Sequence, residues 1–161
     1  MLRFEKAGCI FQFRAVAVAI EEGHVLIHQS VKDDFWALPG GRVELFETST
    51  ETVTREISEE LGYTSTVVRP LWTVESFFEY RGKKYHEISN YFLITLKPGT
   101  FTINDVSFSG IEKHVDVVFK WVPLSSLQDY DIRPGFLVTG LLTLPVTLQH
   151  LCANDIAEKT A

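Results

Sequence analysis

Apolar residues in this chain follow two rhythms. Residues 10–20 are almost unbroken Val, Ile, Phe and Ala and read as one long strand. Glu21-Glu22-Gly23-His24 turns it into a second strand at residues 25–29. A polar loop at residues 30–34 and the stretch Phe35-Trp36-Ala37-Leu38 lead to Pro39-Gly40-Gly41, where regular structure must break. The period then lengthens, because Val53, Ile57 and Leu61 recur at every fourth position and mark a helical stripe. Thr48 followed by Glu51 has the form of a capping box, so this helix is expected to begin near Ser49. Gly62 is placed to stop it.

Strand-like sequence returns at residues 66–80 and 85–96, flanking Arg81-Gly82-Lys83-Lys84, which predicts a hairpin. Residues 115–122 read as a further strand ending at Pro123, and Ser125 or Ser126 as the start of a short helical turn. Pro134 suits the first turn of a second helix running to about Leu144, before Pro145. The last dozen residues are expected to be loosely ordered. Phe35, Trp36 and Phe78 are candidates to stack on a base, but as aromatics in a core-rich chain they are taken as core by default. No repeat or linker divides residues 1–161, which read as one domain. Strands with two helices between and after them predict a mixed sheet packed by helices, in an α/β or α+β layered fold.

Composition adds limits. With 161 residues, 45% of them apolar and 12 of them Phe, the chain can bury a substantial core. Its net charge of −6 is spread along the sequence and forms no basic stripe, so nucleic acid is not an expected partner. A small phosphate ligand is still allowed, because a divalent cation reverses the local charge. Cys9 and Cys152 match no zinc or redox spacing and are expected to be reduced, half-buried thiols. Arg3, Glu5 and Lys6 interrupt any secretory signal, and the longest apolar stretch, residues 136–148, contains Gly140 and Pro145. The expectation is a cytoplasmic protein with no membrane partner. The sequence leaves room for a homodimer without deciding the oligomeric state.

The helix carries the candidate chemistry. From Gly41 the chain reads GRVELFETSTETVTREISEELGY, and Glu56, Glu59 and Glu60 fall at i, i+3 and i+4. With the apolar stripe centred on Ile57, Glu60 lies about 60° and Glu56 about 100° from it on the same side. Both therefore border the buried face, where a carboxylate needs a partner. Arg55 can reach only some of the acids, so a cation is the better candidate for the rest. The alternative is a solvated ion-pair ladder of Glu51, Arg55 and Glu59 at spacing of four. The Pro-Gly-Gly break just upstream and the position of Glu56 and Glu60 beside the stripe argue against that bland reading. Hard oxygen ligands, with no Cys or His beside them, fit magnesium better than zinc, and the Gly40 and Gly41 carbonyls can add an oxygen. Attack of a metal-activated water on phosphorus is the natural reaction.

The segment resembles the signature of the Nudix hydrolases at Gly41, Glu47, Arg55, Glu56, Ile57, Glu59, Glu60, Gly62 and Tyr63, with Tyr63 standing where an aliphatic residue is more usual. Trp36 to Gly41 and Trp121-Val122-Pro123-Leu124 also look similar to the family. The resemblance implies an α/β/α sandwich around a mixed sheet. It implies hydrolysis of a pyrophosphate link in a nucleoside diphosphate derivative or triphosphate, with magnesium or manganese. Glu56, Glu59, Glu60 and the Gly40 carbonyl would hold the metal, Glu56 would be a candidate base, and Glu47 would pair with Arg55 to orient the acids. Outside the motif the specificity marks are thin. Phe78 and Glu79 stand where the ADP-ribose branch carries proline, and Tyr80 falls near a tyrosine of dinucleoside polyphosphate hydrolases. Glu87 is read either as a further metal or water ligand or as a surface charge, and Arg14 either as a phosphate contact or as an outward residue. A second reading is a non-catalytic Nudix-like domain that senses a nucleotide, though an intact motif argues against it.

Overall fold

The computed structural model describes residues 1–156. Its centre is β2 (Cys9–Glu21), the long apolar strand of the sequence. Along one edge β2 meets three strands antiparallel: β1 (Arg3–Lys6), β4 (Gly40–Arg42) and β3 (His24–Ser30). Its other edge pairs in parallel with β6 (Lys83–Leu96), over Cys9 to Ala19. β5 (Ser65–Tyr80) pairs antiparallel with β6, β7 (Phe108–Ser109) with β8 (Val117–Pro123), and β8 with β3. The result is a mixed sheet flanked by few helices, as the sequence predicts.

Helix α1 (Ser49–Leu61) begins and ends on the expected signals. Thr48 and Glu51 form the reciprocal capping box, and Gly62 takes a left-handed φ of 70° while its N–H bonds Ser58. Its Val53, Ile57 and Leu61 pack on Ala15, Ala17 and Ala19, which point to one face of β2. The opposite face is covered by a 3-10 turn (Leu124–Asp129), by α2 (Leu137–Gly140) and by their neighbours, around Val16, Val18, Trp72 and Tyr91.

Four expectations change. The second helix is a single turn, not the run from Pro134 to Leu144. Its sequence explains this: Val138 and Thr139 are β-branched, Gly135 and Gly140 flank them, and so short a segment lacks the bonds that offset helix nucleation. What holds the turn is burial of Leu137 and Leu141. The chain's end is not all loose, because β9 (Gln149–Asn154) pairs in parallel with β5 and turns Leu151 and Ala153 to the core. Of that dozen, residues 157–161 lie outside the described residues. Cys9 and Cys152 are both free and exposed, not half-buried. The hairpin of β5 and β6 is tighter than expected: Arg81 and Gly82 alone make the turn, with φ of 51° and 75°.

Candidate active site

Arg55 is the organising group. Its Nε and Nη2 donate to the two carboxylate oxygens of Glu47 at 2.7 and 3.0 Å. Its Nη1 reaches Glu56 at 2.8 Å and Glu59 at 3.1 Å, and Nη2 also donates to the Arg42 carbonyl at 3.3 Å. Glu47 further accepts from the Thr52 hydroxyl at 2.7 Å and the Glu44 N–H at 3.0 Å. Arg55 above all holds the Glu47 carboxyl down to about 2. This forked pairing fixes the loop between β4 and α1 against the helix.

The acids on the helix are not alike. Glu59 is 55% exposed and bonded to Arg55. Glu56 is 17% exposed, and burial raises its pKa against the opposing pull of Arg55. Glu60 is pushed up to about 8, first by burial, then by Glu56 and by Glu112 on the loop before β8. Its Oε2 is buried without a hydrogen-bond partner, and the Ile111 N–H donates to its carbonyl at 2.7 Å, bringing that loop onto the helix end. Among the described residues, no three His, Cys, Asp or Glu side chains already enclose a metal position. The donor set nevertheless fits a hard divalent cation: clustered carboxylates, one with an orphaned buried oxygen, beside the backbone carbonyls of β4. A cation there would remove the repulsion that raises Glu60.

The glycine break lies directly on these acids. A Cβ on Gly41 would stand 2.0 Å from a Glu56 carboxylate oxygen, and one on Gly40 would stand 2.3 Å from the Ala15 carbonyl. Arg14 donates to the Gly40 carbonyl at 3.1 Å.

Glu56, Gly40 and Gly41 open onto a cavity of about 780 Å³ that also takes in Arg14, Glu87 and Tyr80. Arg14 therefore faces the cleft, and the outward reading is set aside. Glu87 is 7% exposed, accepts from the Ser89 hydroxyl at 2.6 Å and is bonded by the Gln12 amide, so it is no surface charge. The Tyr80 hydroxyl donates to Asp33 at 2.9 Å, with the Arg81 guanidinium over its ring. Trp36 packs on the core as expected, but Phe35 and Phe78 line the cavity, the latter stacked on Tyr85 at 5.0 Å.

Sequence reasoning passed over Gln12, Arg42, His28, Asp33 and Glu112. Gln12 left a signal: with Arg14 it makes two polar positions, two apart, in an apolar strand, so one face of β2 had to meet a polar cavity. His28 left none. Burial, with help from Arg14, lowers its pKa to about 3, so a neutral imidazole lines the cavity with an unpartnered Nδ1.

Comparisons with known proteins agree with this architecture. A model of the NUDIX domain matches residues 11–137. A protein of Mycobacterium tuberculosis (strain CDC 1551 / Oshkosh) carrying the name mutator protein MutT4 is 28% identical over 92 residues, 57% of this chain. The chain spans 34% of the length of that relative. A NUDIX hydrolase from Nitrosomonas europaea superposes with a TM-score of 0.63 at 16% identity, over 89% of this chain and 79% of that one. A MutT protein from Bacillus halodurans does so with a TM-score of 0.61 at 19% identity, over 86% of each chain.

Proposed function

This chain belongs to the Nudix family of hydrolases, and we propose that it hydrolyses a pyrophosphate link in a nucleoside triphosphate or other nucleoside diphosphate derivative with a divalent metal. The observation that carries this reading is the buried, partnerless Glu60 oxygen, under the electrostatic influence of Glu56, which itself lines a cavity that also holds Arg14. Glu56, Glu59, Glu60 and the Gly40 carbonyl would hold magnesium or manganese, which when bound polarises phosphoryl oxygens and acidifies water.

The chain's own residues do the rest. Glu47 and Arg55 hold the glycine loop and Glu56 in fixed relation. Glu59, exposed and held by Arg55 through Nη1 alone, would need only to leave that contact to join a cation. Glu56, whose pKa is raised by burial, accepts the proton as water oxygen bonds to phosphorus. The bridging P–O bond breaks, and the phosphate on the far side leaves with the bonding pair. The aromatic walls at Phe35 and Phe78 suit a nucleobase.

The test is replacement of Glu56 or Glu60 by Gln, which keeps size and removes charge. Turnover of a nucleotide panel with magnesium should fall by about a thousandfold while thermal unfolding stays cooperative. Unchanged product release in both variants would remove the assignment.

A further inference from the structure

Arg14 and Arg42 are direct partners across the antiparallel pairing of β2 with β4. Cross-strand partners leave a sheet on the same face, and both of these line the cavity. Like charges so placed destabilise a sheet unless something of opposite sign lies between them. Among the described residues, neither guanidinium has a carboxylate in ion-pair contact. Arg14 donates to the Gly40 carbonyl, and Arg42 donates to Gln12 Oε1 at 3.1 Å and to the Met1 sulfur at 3.2 Å. These acceptors are neutral.

Burial, then Arg14 and then Arg3 lower the pKa of Arg42, so a third cation adds to the crowding. Glu87 is the weakest of the influences on Arg42, and its oxygens are already engaged by Gln12 and Ser89. Arg14 also bears on Glu56 and Glu60, which brings it within electrostatic reach of the helix acids. The fold thus holds two half-buried guanidiniums in the cavity that Glu56 also lines, with their forks unmatched.

We propose that Arg14 and Arg42 together clamp a terminal phosphoryl group. On that basis the chain is built for nucleoside tri- and diphosphates over capped diphosphates such as nucleotide sugars and dinucleotides. This rests on the hydrolase reading above and names its substrate class. A terminal phosphate near neutral pH carries close to two negative charges and three free oxygens, whereas a phosphate linked on both sides carries one charge and two free oxygens. As a single group, only the first neutralises both arginines, and planar guanidinium forks match its oxygens.

Two measurements test it. Calorimetric titration with inorganic pyrophosphate in EDTA needs neither metal nor turnover. Wild type should bind, Arg42→Gln should weaken binding on the order of a hundredfold, and Arg42→Lys should recover part of it. Without ligand, Arg42→Gln should melt no lower than wild type, since it relieves the repulsion; Arg14→Gln repeats the test from the other strand. In kinetics with magnesium, Arg42→Gln should lower kcat/KM for a nucleoside triphosphate on the order of a hundredfold, mainly through KM. ADP-ribose and a nucleotide sugar should change by less than about threefold, because they lack the doubly charged end. Equal losses on capped and uncapped substrates, or pyrophosphate binding indifferent to both arginines, would overturn the clamp. Arginine-dependent pyrophosphate binding in a protein that cleaves nothing supports the clamp and removes only the hydrolase reading.

Discussion

Arg55 and the Arg14–Arg42 pair show two ways a protein can keep arginines half-buried. Arg55 spends its donors on Glu47, Glu56, Glu59 and a carbonyl, so its charge is answered inside the chain. Arg14 and Arg42 face each other across two strands and find only neutral acceptors. The first arrangement fixes a shape. The second leaves electrostatic work to be completed from outside. Charge that is satisfied in the free protein marks scaffold, and charge left unanswered in a cavity marks the place of a ligand.

The sharpest break of this contrast is at the acids the scaffold presents. Glu56→Gln should lower kcat by about a thousandfold with little effect on KM, measured by chromatography of nucleotide products. On the scaffold itself, Arg55→Gln leaves Glu47 and Glu56 without their cation and should cost about 2 kcal/mol in urea unfolding. Arg42→Gln should cost nothing by the same measurement. A stability loss as large as that of Arg55→Gln would erase the distinction between the two arginine sites.

Acidity sharpens the comparison further. Glu60 has a folded pKa of about 8, above its ordinary 4.5, so the folded protein binds the extra proton. By linkage, stability without metal falls as pH rises from 4.5 to 8. Glu60→Gln in EDTA should therefore melt higher than wild type at pH 8, with the gain vanishing near pH 4.5. Magnesium should stabilise wild type more at pH 8 than at pH 6. Glu47 runs the other way: held at about 2, it contributes stability above pH 4.5 that is lost as pH falls toward 2. A shallower fall of the melting temperature in Glu47→Gln than in wild type across that acid range would identify its share, the remainder coming from other carboxylates such as Glu51.

The smallest effect is at Phe46, fully exposed and held at φ 63° in the loop that Glu47 and Arg55 pin. A bulky residue there is strained, and Phe46→Gly should raise stability by about 0.5 kcal/mol after the entropy cost of glycine in the unfolded chain. Differential scanning calorimetry on the two proteins would resolve it.

What the sequence made legible follows from the range of the forces involved. Helix α1, its capping box and its glycine stop depend on residues within four positions of one another, and they appear where local spacing puts them. The acidic cluster was legible for the same reason. β9 was not: Gln149–Asn154 becomes a strand only because β5 offers an edge and the core accepts Leu151 and Ala153. α2 failed in the opposite direction, since a proline start and apolar spacing outweighed the Val138-Thr139-Gly140 run on paper. Arg42 belongs with β9. Its meaning arises only when β4 aligns it with Arg14, twenty-eight positions earlier, and no window along the chain contains both.

The close seat of Glu56 on the glycine loop has one further consequence. Because the space above Gly41 is already filled by a carboxylate oxygen 2.0 Å from where a methyl would go, the smallest side chain would evict that acid. Natural variation can reshape the aromatic walls or trade one phosphate contact for another. Position 41 has no such freedom, and a single added carbon there is a switch that disarms the acid while the sheet beneath it stands.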